Sequence, residues 1–416
     1  MRKSLRPIAS LLLGIGFLLA GNGMLFTLLP LRGTAEHFSA FALGLIGSSY
    51  YVGFVAGCVL APFVVQSSGH IRAFAALVAL AVTASLAYEL APYPYAWAAL
   101  RLINGFSLAG IYLVVESWLN SRTNNETRGL VMSTYVVVNY GAFTVGQSLV
   151  TLYPIDAAGN FMIAAILGAI GIIPVALTRS AQPAPIKVVR FRPVQLYRAA
   201  PVGLVASSMI GMVSGSFWSL GAISAAGSGL DVAHVAMFMS AATLAGAVSQ
   251  WPVGRLSDRV DRRMVLLALL NGASVVGFLL WLTAASGSIL ILFGLLFGAL
   301  ALPTYSLAAA HAYDRTPASE TVPTAATILL ANAAGAVIGP LIASAIMGAV
   351  DPRALFLFTS ATHALLAAYV FYRTKVQSSA AADEKVGFGM AASTPVTTMS
   401  TGETSDPPPA SDRVMS

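Results

Sequence analysis

Apolar residues run along this chain in long unbroken blocks, without the alternation of a strand or the one-sided spacing of a surface helix. A helix needs about 20 such residues to cross a hydrocarbon core, and twelve blocks reach that length. The first six lie near 9–31, 42–66, 71–91, 95–119, 129–152 and 160–178. The second six lie near 202–226, 233–254, 263–284, 287–311, 322–348 and 353–373. Strands of a membrane barrel would give weaker alternating segments of about ten residues, and the pattern shows none. The first block follows Arg2, Lys3 and Arg6, as in a secretory leader. It runs to about Leu31 with no small-residue cleavage site, so it is read as an uncleaved first helix.

Composition agrees: 57% of the residues are hydrophobic and 9% are charged, against about 25% charged in a soluble domain. So few charges cannot cover a water-facing surface. A cytosolic enzyme, a nucleic-acid-binding domain and a disulfide scaffold are excluded, and the single cysteine, Cys58, leaves no Cys metal cluster. The net charge of +7 is a matter of placement. With the N-terminus inside, the inner segments hold twenty basic residues: Arg2, Lys3, Arg6, Arg72, Arg122, Arg128, Arg179, Lys187, Arg190, Arg192, Arg198, Arg255, Arg259, Arg262, Arg263, Arg315, Arg373, Lys375, Lys385 and Arg413. The outer loops hold Arg32 and Arg353, and Arg101 lies within a span. The positive-inside rule then puts both termini in the cytoplasm, and a bacterial inner membrane is the expected location. Nucleic acid is not needed to explain the basicity.

The expected organisation is a six-helix bundle over 1–178, a basic, proline-containing cytoplasmic linker over 179–201, a second bundle over 202–373, and a cytoplasmic tail over 374–416. The tail is rich in Ser, Thr, Ala and Pro and too polar to fold alone. A shift of 193 residues sets Asn139 on Asn332, Ala142 on Gly335, Gly146 on Gly339 and Gln147 on Pro340. A shift of 192 sets Ser48 on Ser240, Pro62 on Gly254 and Gln66 on Asp258. That offset equals the spacing of the two six-helix sets, as expected for parallel repeats about the membrane normal.

The loop after the eighth block reads Gly254-Arg-Leu-Ser-Asp258-Arg259-Val-Asp261-Arg262-Arg263. It resembles the G-x-L-a-D-r-x-G-r-r signature of the major facilitator superfamily, with Asp261 in place of the second glycine. Its counterpart, Pro62 to Arg72, carries Gln66 where the acid would stand. Arg101-Leu-Ile-Asn104-Gly105 is similar to the superfamily's fourth-helix motif, and Gly335 to Pro340 to its g-x-x-x-G-P motif. Ser48 to Gly53, Val114 to Ser117 with Arg128-Gly129, and Pro303 to Ser306 resemble the YcaD-type branch. The resemblance covers about 9–373. It implies an all-α membrane protein of twelve helices in two pseudo-symmetric bundles, working as a secondary transporter, and it supplies no substrate.

Among the motif residues, a carboxylate at Asp258 beside Arg259, Arg262 and Arg263 can latch one arrangement of the bundles. The alternative is that these arginines only anchor topology. Arg101 is costly inside a membrane, by at least about 2.5 kcal/mol at its centre. It either snorkels outward or orders a proton or substrate site with Asn104. Glu116 is either an ion-pair partner of Arg72, Arg122 or Arg128, or a proton carrier. Glu89 is read as interfacial, His363 as a packed histidine with a possible coupling role, and His311 as a neighbour for Asp314.

Mid-depth candidates for a substrate cavity are Asn22, Tyr51, Arg101, Asn104, Ser107, Asn139, Gln147, Trp218, Gln250, Tyr305 and Asn332. As a set they suit a neutral or amphiphilic organic solute better than a phosphate or dicarboxylate. Gly141, Gly146, Gly335, Gly339 and Pro340 are candidate gating positions. Gly53 with Gly57, and Gly294 with Gly298, are small-residue packing pairs.

The leading function is alternating-access transport, with a proton as coupling ion and efflux preferred, by a monomer needing no cofactor or metal. Uptake or facilitated diffusion of a neutral metabolite is the alternative, and a non-transporting sensor a remote one. None of the four lysines follows a glycine, so there is no phosphate-binding loop for ATP. No nucleophile, base and acid stand at an enzyme's spacing.

Overall fold

A computed structural model describes residues 8–123, 127–177, 191–283 and 287–376. The basic residues ahead of Ile8, residues 178–190 of the expected linker and the tail from 377 onward lie outside the described residues. The first bundle is α1 (Ala9–Ala35), α2 (Ala40–Ser68), α3 (His70–Leu90), α4 (Pro94–Ser121), α5 (Arg128–Leu149) and α6 (Gly159–Ala176). The second is α7 (Pro201–Gly227), α8 (Val232–Arg259), α9 (Arg262–Leu282), α10, α11 (Thr321–Ala349) and α12 (Ala354–Val376). The tenth is broken at Leu302 into Gly287–Ala301 and Pro303–Tyr313, because Pro303 lacks the N–H that a continuous helix needs there. All twelve are long and apolar enough to span a bilayer. The chain is a multi-pass membrane protein.

The helices run past the apolar blocks where polar residues extend them. Most notably, α8 continues through Ser257 and Asp258 to Arg259. The described end of the linker forms a short helix, Pro193–Ala199, held to the start of α11. There the Arg192 backbone N–H donates to Thr327 Oγ1 at 3.0 Å, and Gln195 Nε2 donates to Glu320 Oε1 at 2.7 Å.

The two bundles repeat the same packing. In the first, α1 pairs with α5, α2 with α4, and α3 with α6; in the second, α7 pairs with α11, α8 with α10, and α9 with α12. The register repeats as well. A Cβ on Gly146 would strike the Ala20 carbonyl, and one on Gly339 the Met212 carbonyl. Gly105 faces the Tyr50 carbonyl as Gly298 faces that of Ala242. In each pair the glycine is displaced by 193 positions and its partner by 192, the same offsets found in the sequence. Only a residue without a Cβ lets these backbones approach so closely.

The loops at the two ends of the molecule differ in their chemistry. Arg72, Arg255, Arg259, Arg262 and Arg263 gather at one end, here termed the basic end, where α2 and α8 finish and α3 and α9 begin. The two equivalent turns there are built differently. Gly69 has φ of 81°, a left-handed conformation suited to glycine. Asp261, 192 positions on, has φ of −59° and caps α9, accepting from the Arg263 backbone N–H at 2.9 Å. Replacing the signature's glycine with Asp therefore exchanges a left-handed turn for a side-chain cap.

Burial raises the Asp261 carboxyl, but the Arg263 side-chain and backbone hydrogen bonds outweigh it, and the net shift is downward from 3.8. A depressed carboxyl stabilises the fold above its unfolded value. That contribution is lost as the pH falls below 3.8 through the lowered value. Asp261→Asn is expected to flatten the acid side of a melting-temperature profile; an unchanged profile would show that this cap carries no linkage.

Candidate functional site: a cavity between two bundles

The bundles enclose a cavity of about 240 Å³. The first bundle lines it from α1 with Asn22 and Phe26, from α2 with Tyr50, Tyr51 and Phe54, from α4 with Tyr112, and from α5 with Asn139, Tyr140 and Phe143. The second contributes Phe217 and Trp218 from α7, Thr243 from α8, Phe297, Tyr305 and Ser306 from α10, Asn332 from α11 and His363 from α12. The lining carries no Asp, Glu, Lys or Arg. Phe143 and Trp218 meet across the bundles edge to face, with centroids 5.3 Å apart.

The cavity thus brings together Asn22, Tyr51, Asn139, Trp218, Tyr305 and Asn332 from the sequence candidates. The others sit behind its wall. Gln147 is fully buried in the α5–α8 seam, where Thr243 Oγ1 donates to its Oε1 at 2.9 Å. Gln250 joins the bundles at the same seam. Its Nε2 donates to the Tyr140 hydroxyl at 3.1 Å, and its Oε1 accepts from Ser306 Oγ at 3.0 Å. Ser148 and Ser240 hydroxyls lie 3.2 Å apart further toward the end opposite the basic one. The seam between α2 and α11 is built instead from small residues, with Gly44 against Ser344 and Gly47 against Ser219 of α7. An apolar cluster containing Met24, Leu29 and Trp97 of the first bundle and Leu220, Met347 and Phe358 of the second is continuous across that opposite end.

Arg101, Asn104 and Ser107 are buried on α4. The Arg101 guanidinium carbon lies 4.1 Å from the Phe26 ring centroid and 4.5 Å from that of Tyr50, directly behind two rings that line the cavity. Such stacking is attractive when desolvated. Glu116 is 1% exposed, and its Oε1 accepts from the Tyr135 hydroxyl at 3.1 Å. His363 packs against Phe297 with centroids 6.0 Å apart.

At the basic end, the signature residues form a charged cluster. Arg262 donates through Nε to Asp314 Oδ2 at 2.7 Å, with the two side chains 1% and 3% exposed. It also reaches Asp258 at 3.4 Å and Ser257 Oγ at 3.2 Å. Arg263 pairs with Asp261 at 2.8 Å, and Arg259 is exposed. Gly254 is buried at the foot of α8. These ties fasten α8, α9 and α10 of one bundle together. Asp314 thus meets Arg262 rather than its neighbour His311.

The pairing of Asp314 was hidden because its partner lies 52 positions away. Arg32 is likewise a buried member of a cluster, 2.8 Å from Glu36 and 3.6 Å from Glu89. Of the glycine candidates, Gly146, Gly335 and Gly339 touch neighbouring backbone, while a Cβ on Gly141 would meet nothing within 4 Å. Pro340 lies within α11 and its carbonyl approaches Gly44.

Twelve spanning helices in two repeated bundles around an uncharged central cavity define a membrane solute carrier. The profile of the Major Facilitator Superfamily matches residues 203–405, and that of a family of unknown function, DUF5690, matches 51–186. The uncharacterized MFS-type transporter YcaD of Escherichia fergusonii is 26% identical over 356 residues, covering 85% of this chain and 92% of the relative. The YcaD protein of Escherichia coli O7:K1 is 27% identical over the same shares. Among solved structures, the nucleoside transporter NupG matches with a TM-score of 0.74 at 15% identity, covering 88% of this chain and 99% of that one. A bacterial homolog of the human lysosomal transporter Spinster, in an inward-facing and occupied conformation, matches with 0.68 at 13% identity over 91% and 98%. Residues 203–405 carry the match to the major facilitator superfamily, the chain is similar over 85% of its length to YcaD, a transporter of that type, and it shares the fold of solved transporters.

Proposed function

We propose that the protein carries a small amphiphilic organic solute across the bacterial inner membrane by alternating access, with the central cavity as the binding site. The observation that carries this reading is a chargeless, largely aromatic cavity bounded by two separable seams. Placing the basic end in the cytoplasm follows from the charge asymmetry of the loops. The bundles then join at the outer end, and the described arrangement is inward-facing.

Efflux is the preferred direction, because such a cavity suits amphiphiles drawn from the cytoplasm. A proton is the preferred coupling ion, with Glu116 as its candidate carrier and Arg101 ordering the site with Asn104, and the protein works as a monomer. The absence of any carboxylate from the lining favours a second reading, uptake or facilitated diffusion of a neutral metabolite. Asp258 with Arg259, Arg262 and Arg263 serves in both readings as a latch at the basic end, and Gly146, Gly335 and Gly339 as close-contact points about which helices rock.

Purified protein in liposomes loaded with a pH indicator separates the two. Coupled transport is expected to change lumenal pH when a transported solute is added, and Glu116→Gln is expected to abolish that change while leaving protein yield intact. Solute flux with no pH change across a broad panel would remove the proton and leave the second reading.

A further inference from the structure

The geometry points to a cavity that selects planar aromatic monoanions, with Arg101 as the residue that sets the sign of the charge. This refinement rests on the transporter reading above. Eleven of the lining residues are Phe, Tyr or Trp, none is Asp, Glu, Lys or Arg, and the one histidine, His363, packs against Phe297. On rings alone, such a site would be read as a cage for a cation, since aromatic faces attract positive charge. Arg101 reverses that expectation. Its guanidinium sits 4.1 Å from the Phe26 centroid and 4.5 Å from that of Tyr50, and both rings also line the cavity. The protein's own cation therefore engages these two rings and draws their electron density away from the cavity side.

That charge is not neutralised on the spot. Arg101 is 3% exposed and makes no ion pair within 4.0 Å among the described residues, and its buried Nη1 has no hydrogen-bond partner. Glu116 lies fifteen positions further along α4, about 22 Å away at 1.5 Å per residue. Glu36 and Glu89 pair with Arg32. A negative group one ring layer beyond Phe26, at roughly 8 Å from the guanidinium, gains about thirtyfold in binding at an effective dielectric near 20, and a positive group loses as much. Size adds the second constraint. A cavity of about 150 Å³ holds benzene, so 240 Å³ admits a bicyclic ring system, with Trp218 and Phe143 offering a surface on which it can stack.

Three probes share one bicycle and differ in charge: indole-3-acetate, indole-3-acetamide and tryptamine. Titration calorimetry with purified protein at pH 7 is expected to rank them in that order, with the acetate about thirtyfold tighter than the amide. Arg101→Gln is expected to bring the acetate-to-amide ratio close to one, and Arg101→Lys to retain the preference. Because the readout is a ratio within one preparation, loss of folded material does not mimic it. Tightest binding of tryptamine, or an undiminished ratio in Arg101→Gln, would overturn the inference. So would failure of all three probes to bind; flux of a solute from another class would then leave the transporter reading standing.

Discussion

Asp314→Ala is expected to destabilise the protein by about 3 kcal/mol or more, the range measured when one partner of a buried ion pair is removed. The variant leaves the Arg262 guanidinium, 1% exposed, without its 2.7 Å acceptor. Asp258 offers little replacement, since it lies at 3.4 Å and is 42% exposed. A melt in detergent should fall by about 5 °C or more. Asp351→Ala provides the contrast. Its pair with Arg353 is 3.3 Å long with both side chains about one-third exposed, and such pairs contribute about 0–1 kcal/mol. The double variant Arg262→Met with Asp314→Leu should recover most of the loss, because an apolar pair avoids the stranded charge. A melt of Asp314→Ala that matches the parent would show that the cluster is not a structural tie.

The spans, the repeat and the signature loop could be read in the sequence because each is local or periodic. Twelve apolar blocks must become helices in lipid, where every backbone polar group has to be satisfied within its own segment. Boundaries failed where helicity outlasts hydrophobicity, as at Ser257–Arg259, since helices continue into the interface. The direction in which a side chain points was much harder to read. A helix that is apolar all round carries no amphipathic stripe to orient it, so Gln147 and Gln250 could be placed at mid-depth but not assigned to the α5–α8 seam. Arg101 was recognisable as a costly residue, yet the rings that accommodate it come from α1 and α2, 75 and 51 positions earlier. His363 presented only as a polar residue in a twelfth span, and its place on the cavity depends on how α12 packs on α7 and α9 to bring it against Phe297. Long-range pairs such as Arg262 with Asp314 follow from tertiary packing that no single window contains.

The second large effect concerns the seam. Ser148 on α5 and Ser240 on α8 bring their hydroxyls to 3.2 Å, at the end where the apolar cluster runs across both bundles. Alternating access requires this contact to open once per cycle, together with the Thr243–Gln147 bond beside it. A disulfide between Ser148→Cys and Ser240→Cys would forbid that opening, since its Cα atoms must stay within about 7 Å. The native thiol, Cys58, is buried and leaves the engineered pair as the reactive one. The decisive measurement is solute flux in proteoliposomes containing this double variant, taken reduced, oxidised and reduced again. The account predicts flux above protein-free liposomes when reduced, none once the crosslink has formed, and recovery on reduction. Undiminished flux with the crosslink in place would contradict transport that requires the bundles to part at the outer end.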